Sequence, residues 1–186
     1  MVLQYNNYLN STELEYNKVW NSQNSLFCIW IGSNEIRSAC GNNQVPETLY
    51  NNALDRLLQI LEDIYNSGAR NYLFLNIPPL ETIPYYMRHV YPFVKNDVEY
   101  FNTHLDNTIQ LFSEKHDDIN IFVYDVHKRS LDVINHCKAY QFKDCKRAWL
   151  KTKKYPLRKY FYSDLSHNTY KANEIFVKDM LEMLNV

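Results

Sequence analysis

The sequence predicts an α/β fold in which helices flank a parallel sheet. Two observations carry that prediction. Three short runs, Leu26–Ile31, Asn71–Ile77 and Ile119–Tyr124, are apolar on both faces, as strands buried in a parallel sheet are. Longer stretches with helical periodicity alternate with them, which is the pattern of βαβ units.

Each element has its own signal. Leu26–Ile31 runs into Gly32, one of only three glycines, so a turn follows directly. Pro46–Tyr65 carries Tyr50, Leu54, Leu57, Leu61 and Ile64 at helical spacing, with Pro46 suited to a first turn and Gly68 just past the end. Asn71–Ile77 stops before Pro78-Pro79. Phe101–His116 is a helix with Leu105, Ile109 and Phe112 on one face, and Thr169–Leu184 is another, with Ala172, Ile175, Phe176, Met180 and Met183. Thr12–Trp20 is a weaker helix candidate. Lys146–Lys159 is rich in Lys and Arg, with Trp149 and Tyr155 among them, and reads as a solvated loop. Basic residues interleaved with aromatics also suit an anionic polymer.

Composition narrows the function classes. The 186 residues are 46% hydrophobic, which supports one domain with a real core. A net charge of −1 gives no global attraction to nucleic acid or anionic membrane. No apolar run approaches the roughly 20 residues that span a bilayer. The first residues carry neither the basic nor the apolar region of a signal peptide. Cys28, inside an apolar run, is expected in the core. Cys137 and Cys145, eight apart, can pair in an oxidising compartment, and spacing alone leaves that open. The sequon Asn10-Ser11-Thr12 matters only in a secreted protein.

Parallel sheets bind ligands outside the carboxyl ends of their strands. Gly32-Ser33-Asn34, Asn76–Leu80 and Asp125-Val126-His127 fall at such ends. Asp164 and His167 lie in the loop that feeds the last helix. A histidine three residues from an aspartate suits a general base with its orienting acid. Asp164 is equally suited to forming a turn, and Asn34 to a turn after Gly32. Glu35 reads as a helix start or surface charge. Asp125, His127, His136, Cys137, Cys145, Asp164 and His167 are possible metal ligands, but no metal-binding spacing links them, and no metal or other cofactor is expected. His127 is expected to border a pocket or cap its loop, while His89, His104 and His116 read as ordinary surface or helix residues.

Gly32-Ser33-Asn34-Glu35 resembles the Gly-x-Asn-Asp block of the GDSL/SGNH serine ester hydrolases, with Glu in place of Asp. Asp164-Leu165-Ser166-His167 resembles the family's closing Asp-x-x-His block, with Asn168 where Pro is usual. Trp30-Ile31-Gly32, the segment Gly68–Pro84 and Tyr124–His127 resemble the fungal-type acetylesterase and lipase-like branch, the last of these its final sheet strand and following loop. The resemblance runs from about Leu3 to the end.

It implies a three-layer α/β/α fold with a flavodoxin-like parallel sheet, and a single hydrolase-like domain over residues 1–186. It also implies His167 as base, Asp164 as its orienter, and Asn34 with Gly32 as oxyanion donors. The substrates would be small acyl or acetyl esters, carbohydrate esters included. The protein would be secreted, without cofactor, without nucleic acid or a membrane span, and a monomer if complete.

One departure is large. No Gly-Asp-Ser occurs, and the family's second, Gly-bearing block is absent too. The resemblance therefore implies a chain truncated at its N-terminus, its sheet incomplete and the Leu26–Ile31 edge unpaired. Ser33 occupies the variable slot between Gly and Asn, and Ser163 and Ser166 crowd His167, so none is expected as nucleophile. The alternative is a catalytically inactive relic or binding module.

Overall fold

A computed structural model describes residues 20–40, 46–89 and 91–185. The Thr12–Trp20 helix candidate lies almost wholly outside them. The chain forms two compact units. The first runs to Asn76 and takes in Tyr100–Tyr124; the second comprises Ile77–Glu99 and the chain from Asp125 onward.

The first unit contains a parallel sheet in the order β1-β2-β3: β1 (Phe27–Trp30), β2 (Asn71–Leu75) and β3 (Asn120–Tyr124). Central β2 is buried from Tyr72 to Leu75, which is why its run is apolar at every position. Between β1 and β2 come helices α1 (Ser33–Ala39) and α2 (Pro46–Asn66). The buried face of α2 is Tyr50, Leu54, Leu57, Ile60 and Leu61, its leucines and isoleucine each contributing roughly 1.5–3 kcal/mol by burial. Gly68 ends α2 at φ 108°, where its amide donates to the Tyr65 carbonyl at 2.9 Å. A side chain there would meet nothing within 4 Å, so the positive φ alone sets the demand for glycine.

Cys28 is not in the core. It is exposed, with Leu26 and Trp30 on the same side of the strand exposed as well. Strand β1 is also an edge strand among the described residues. Its Phe27 and Ile29 are half-covered, and its other face lacks the cover that both faces of β2 have.

In the second unit a short helix, α3 (Pro84–Arg88), leads to α4 (Val94–Lys115), which then continues into the first unit. This helix begins seven residues before the expected Phe101, because Val94 and Val98 extend its buried stripe backward. After β3 come α5 (Val126–Asn135), β4 (Asp144–Ala148), α6 (Trp149–Thr152), β5 (Tyr160–Tyr162) and α7 (Tyr170–Leu184). Strands β4 and β5 form a separate parallel pair, while β3, ending at Tyr124, is the last strand of the three-stranded sheet among the described residues. Phe142, Phe161 and Phe176 build the core, with ring centroids 5.9 and 6.4 Å apart. Arg129 on α5 holds Asp179 on α7 through two guanidinium contacts, at 2.6 and 3.2 Å.

The basic run 146–159 is not a solvated loop. The Asp144 carboxylate accepts the amides of Lys146 and Arg147 at 3.0 and 2.9 Å and the Arg147 guanidinium at 2.6 Å, fixing β4. The Tyr160 hydroxyl then receives Thr152 Oγ1 and the amides of Lys154 and Tyr155. Cys137 and Cys145 are joined as a disulfide with Cα atoms 6.0 Å apart. No helix among the described residues is long and apolar enough to cross a membrane.

Candidate active site

In both units the candidate residues follow the carboxyl end of a parallel strand. In the first unit, β1 ends at Trp30, whose indole Nε1 donates to the Asn76 carbonyl at 3.1 Å and ties the ends of β1 and β2 together. Gly32 is buried at φ 105° and serves as N-cap of α1. Its carbonyl accepts the Ile36 amide at 3.0 Å, the first bond of the helix. Ser33 and Asn34 are therefore in the first turn of α1, and Asn34 is exposed. Glu35 is an acidic residue of that same turn, favourable against the positive end of the helix.

In the second unit, β5 ends at Tyr162 and the chain turns tightly through residues 163–168. Asp164 makes the turn. Its Oδ1 accepts the amides of Ser166 at 2.7 Å and His167 at 2.9 Å. The same carboxylate meets His167 Nδ1 at 3.0 Å from each oxygen. Burial opposes ionisation of Asp164, but the Ser166 amide, the imidazole and the His167 amide outweigh it and hold the carboxyl below its ordinary range. The His167 side chain is 78% exposed. With Nδ1 turned to the carboxylate, Nε2 is the ring nitrogen left without a hydrogen-bond partner among the described residues.

The turn is clamped on both flanks. Ser163 donates its amide to the His167 carbonyl at 2.9 Å and its hydroxyl to the carbonyls of His167 and Asn168. Ser163 is thus a brace within the turn, and the Ser166 amide is spent on Asp164. Thr169 donates its amide to Phe161 and its hydroxyl to Tyr160, both at 2.8 Å, and that hydroxyl also caps α7 by accepting from Ala172. Tyr85, on α3, donates its amide to the Leu165 carbonyl at 2.8 Å, and the Tyr162 hydroxyl lies 2.8 Å from Thr82 Oγ1. Sequence reasoning missed Tyr85 and Thr82. Pro84, restricting the chain at the start of α3, is the only local signal for that contact.

The structure thus joins Asp164 to His167 and places Gly32, Ser33 and Asn34 together at the start of α1, in the other unit. Asp125 accepts the Lys128 amide at 2.9 Å and caps α5, while His127 lies within the first turn of that helix, half-buried. Asp125 therefore takes the capping role expected of His127. Among the described residues no three His, Cys, Asp or Glu side chains gather as a metal centre. Cys137 and Cys145 are spent on each other.

A turn that orients an imidazole through an aspartate three residues before it, after a parallel strand and before a capped helix, is the arrangement of an acid–base dyad on an α/β scaffold. A family model described as GDSL-like lipase/acylhydrolase matches residues 3–180. The chain belongs to that family. It is 26% identical over 114 residues to an acetylesterase of Thermothelomyces thermophilus, covering 57% of this chain and 36% of that protein. Two GDSL esterase/lipase proteins of Arabidopsis thaliana are 24% and 26% identical over 110 and 134 residues, covering 55% and 64% of this chain and 31% and 35% of theirs. The chain spans about a third of the length of the curated relatives it matches.

Proposed function

We propose that this chain carries the acid–base part of a carboxylic-ester hydrolase of the Ser-His-Asp type, acting on small acyl or acetyl esters, carbohydrate esters included. The carrying observation is the imidazole of His167, turned by Asp164 so that Nε2 stays open, in a chain of the GDSL-like family. The names of the relatives, acetylesterase and esterase/lipase, support the reaction class. In this reading residues 1–186 belong to one three-layer hydrolase-like domain of a secreted protein. The Cys137–Cys145 disulfide is in keeping with secretion.

The chemistry follows from the geometry of the dyad. Nε2 of His167 would take the proton of a serine hydroxyl as that oxygen attacks the ester carbonyl. Asp164 would hold the tautomer with its proton on Nδ1 and stabilise the imidazolium that forms. The Asn34 side-chain amide and the Gly32 backbone amide would supply the oxyanion donors, each of roughly 3–4 kcal/mol value where such donors act. His167 would then return the proton to the leaving alcohol. The reaction needs no cofactor.

The test is labelling by a fluorophosphonate probe, together with hydrolysis of an aryl acetate, in the full-length protein. Both should be lost in His167→Ala. Hydrolysis that survives this substitution unchanged would overturn the assignment of the base. A second reading rests on the absence of Gly-Asp-Ser from this sequence: a non-catalytic module that binds acylated sugar or a protein. It predicts binding with no labelling of any serine.

A further inference from the structure

The second unit carries an open pocket that the dyad chemistry does not use. It has a volume of about 430 Å³ and is lined by Gln141, Arg158, Lys159, Tyr170, Lys171 and Glu174. That volume falls within the roughly 300–1,000 Å³ of small-ligand sites. Three cations face one carboxylate, so the pocket is positive although the whole chain has a net charge of −1.

The cations differ in how far they are already committed. Lys171 is paired with Glu174 at 3.0 Å, and the same carboxylate also meets Lys178 at 3.3 Å. Lys159 donates to the Gln141 carbonyl at 3.2 Å. Arg158 has no hydrogen-bond or ion-pair partner among the described residues and is exposed. A guanidinium whose fork is unfilled, set in a concavity, suits a carboxylate taken by two parallel bonds. Beside it stands Tyr170, a large aromatic residue 61% exposed. An exposed ring of this kind is an apolar platform with a polar tip.

We propose that this pocket binds a uronic-acid residue of an acidic carbohydrate. Arg158 takes the carboxylate, Tyr170 packs on the sugar ring, and Gln141 and Glu174 meet its hydroxyls. The choice of carbohydrate over RNA follows from the lining. Glu174 and Gln141 accept hydroxyl protons, of which a sugar ring carries several, and one exposed ring is a poor platform for successive bases. Tyr170 follows His167 by three residues, with Thr169 clamped between them, so pocket and dyad share one fixed stretch of chain. The proposal rests on the ester-hydrolase reading only in making that carbohydrate the carrier of the ester.

The experiment is calorimetric titration of the protein with trigalacturonate, with a neutral trisaccharide, and with a short uridine oligonucleotide. The acidic trisaccharide should bind, with affinity falling as salt rises, and the neutral one should bind about tenfold or more weakly. Arg158→Ala and, separately, Tyr170→Ala should each weaken trigalacturonate binding about tenfold while circular dichroism stays unchanged. Lys151→Ala, outside the pocket, should leave binding intact. Equal binding of the neutral sugar, indifference to both pocket substitutions, or Arg158-dependent binding of the oligonucleotide in preference to trigalacturonate would each overturn the proposal. His167→Ala separates the two readings. It should abolish hydrolysis and spare binding, so a protein that hydrolyses but does not bind loses only the subsite. One that binds but never labels loses only the hydrolase reading.

Discussion

Asp164 Oδ1 accepts the backbone amide of His167 at 2.9 Å while its carboxylate meets Nδ1 of the same residue at 3.0 Å. One side chain thus builds the turn and aims the ring. The two readings that the sequence left open for Asp164, turn former and imidazole orienter, describe a single arrangement.

Asp164→Asn separates these roles. An asparagine Oδ1 still accepts the Ser166 and His167 amides, but its –NH2 cannot accept a proton from Nδ1. The fold should be kept, while ester hydrolysis by the full-length protein falls by about 10⁴, the scale seen when a catalytic aspartate is so replaced. Asp164→Ala removes both functions, adding a stability loss of about 1 kcal/mol, as for a lost capping oxygen. Thermal melting read beside kcat distinguishes the two variants.

Acid should weaken the second unit through Asp144. Burial opposes ionisation there, yet the amides of Lys146 and Arg147 and the Arg147 guanidinium hold the carboxyl below its ordinary range. A carboxyl whose folded pKa is depressed below its unfolded value, ordinarily about 3.9, adds stability that is full above that value. That stability is lost as pH falls through the lowered folded pKa. Asp144→Asn should cost about 1–3 kcal/mol near neutrality and flatten the acid limb between roughly pH 5 and 2. Urea unfolding across that range provides the measurement.

The disulfide closes a short loop between Cys137 and Cys145, eight apart in sequence. Chain-entropy arguments assign a crosslink of this span about 2.5 kcal/mol. Reduction should therefore lower the melting temperature of the second unit, and Cys145→Ser should reproduce the shift without reductant. A melting temperature unmoved by reductant would show that the crosslink adds nothing to this native state.

The sheet of the first unit was legible because β2 is buried on both faces and its neighbours repeat the apolar run. Helix α2 was legible because Pro46 and Gly68 punctuate a clean stripe. Strand β4 was not, since Asp144-Cys145-Lys146-Arg147-Ala148 has no strand-like alternation; a buried aspartate within it and pairing with β5, twelve or more residues further on, organise it. Helix α5 was missed because its cap, Asp125, was read as a ligand-facing residue. At the candidate site, Asp164 and His167 were legible from spacing. Their braces at Tyr85 and Thr82 come from an element nearly 80 residues away and leave almost no local signal. Cys28 was misplaced because an apolar run tells how a strand can be covered and not whether both sides are.

That half-covered strand gives the last expectation. Cys28 and Trp30 on β1, with Leu26 just before it, present an apolar row, and edge strands of this kind pair with other chains unless charge or cover prevents it. Trp30 is already tied to Asn76, so Cys28 is the position to change. Cys28→Lys puts a charge on the exposed side and should reduce concentration-dependent association in light scattering, with stability shifted by no more than about 0.5 kcal/mol. Phe27→Lys, one residue away on the half-covered face, packs against Tyr72 at a ring separation of 6.1 Å and should instead destabilise the sheet. Alternation along the strand makes these opposite outcomes a direct reading of which face is open. Equal destabilisation by both changes would mean that the Cys28 side is covered in solution.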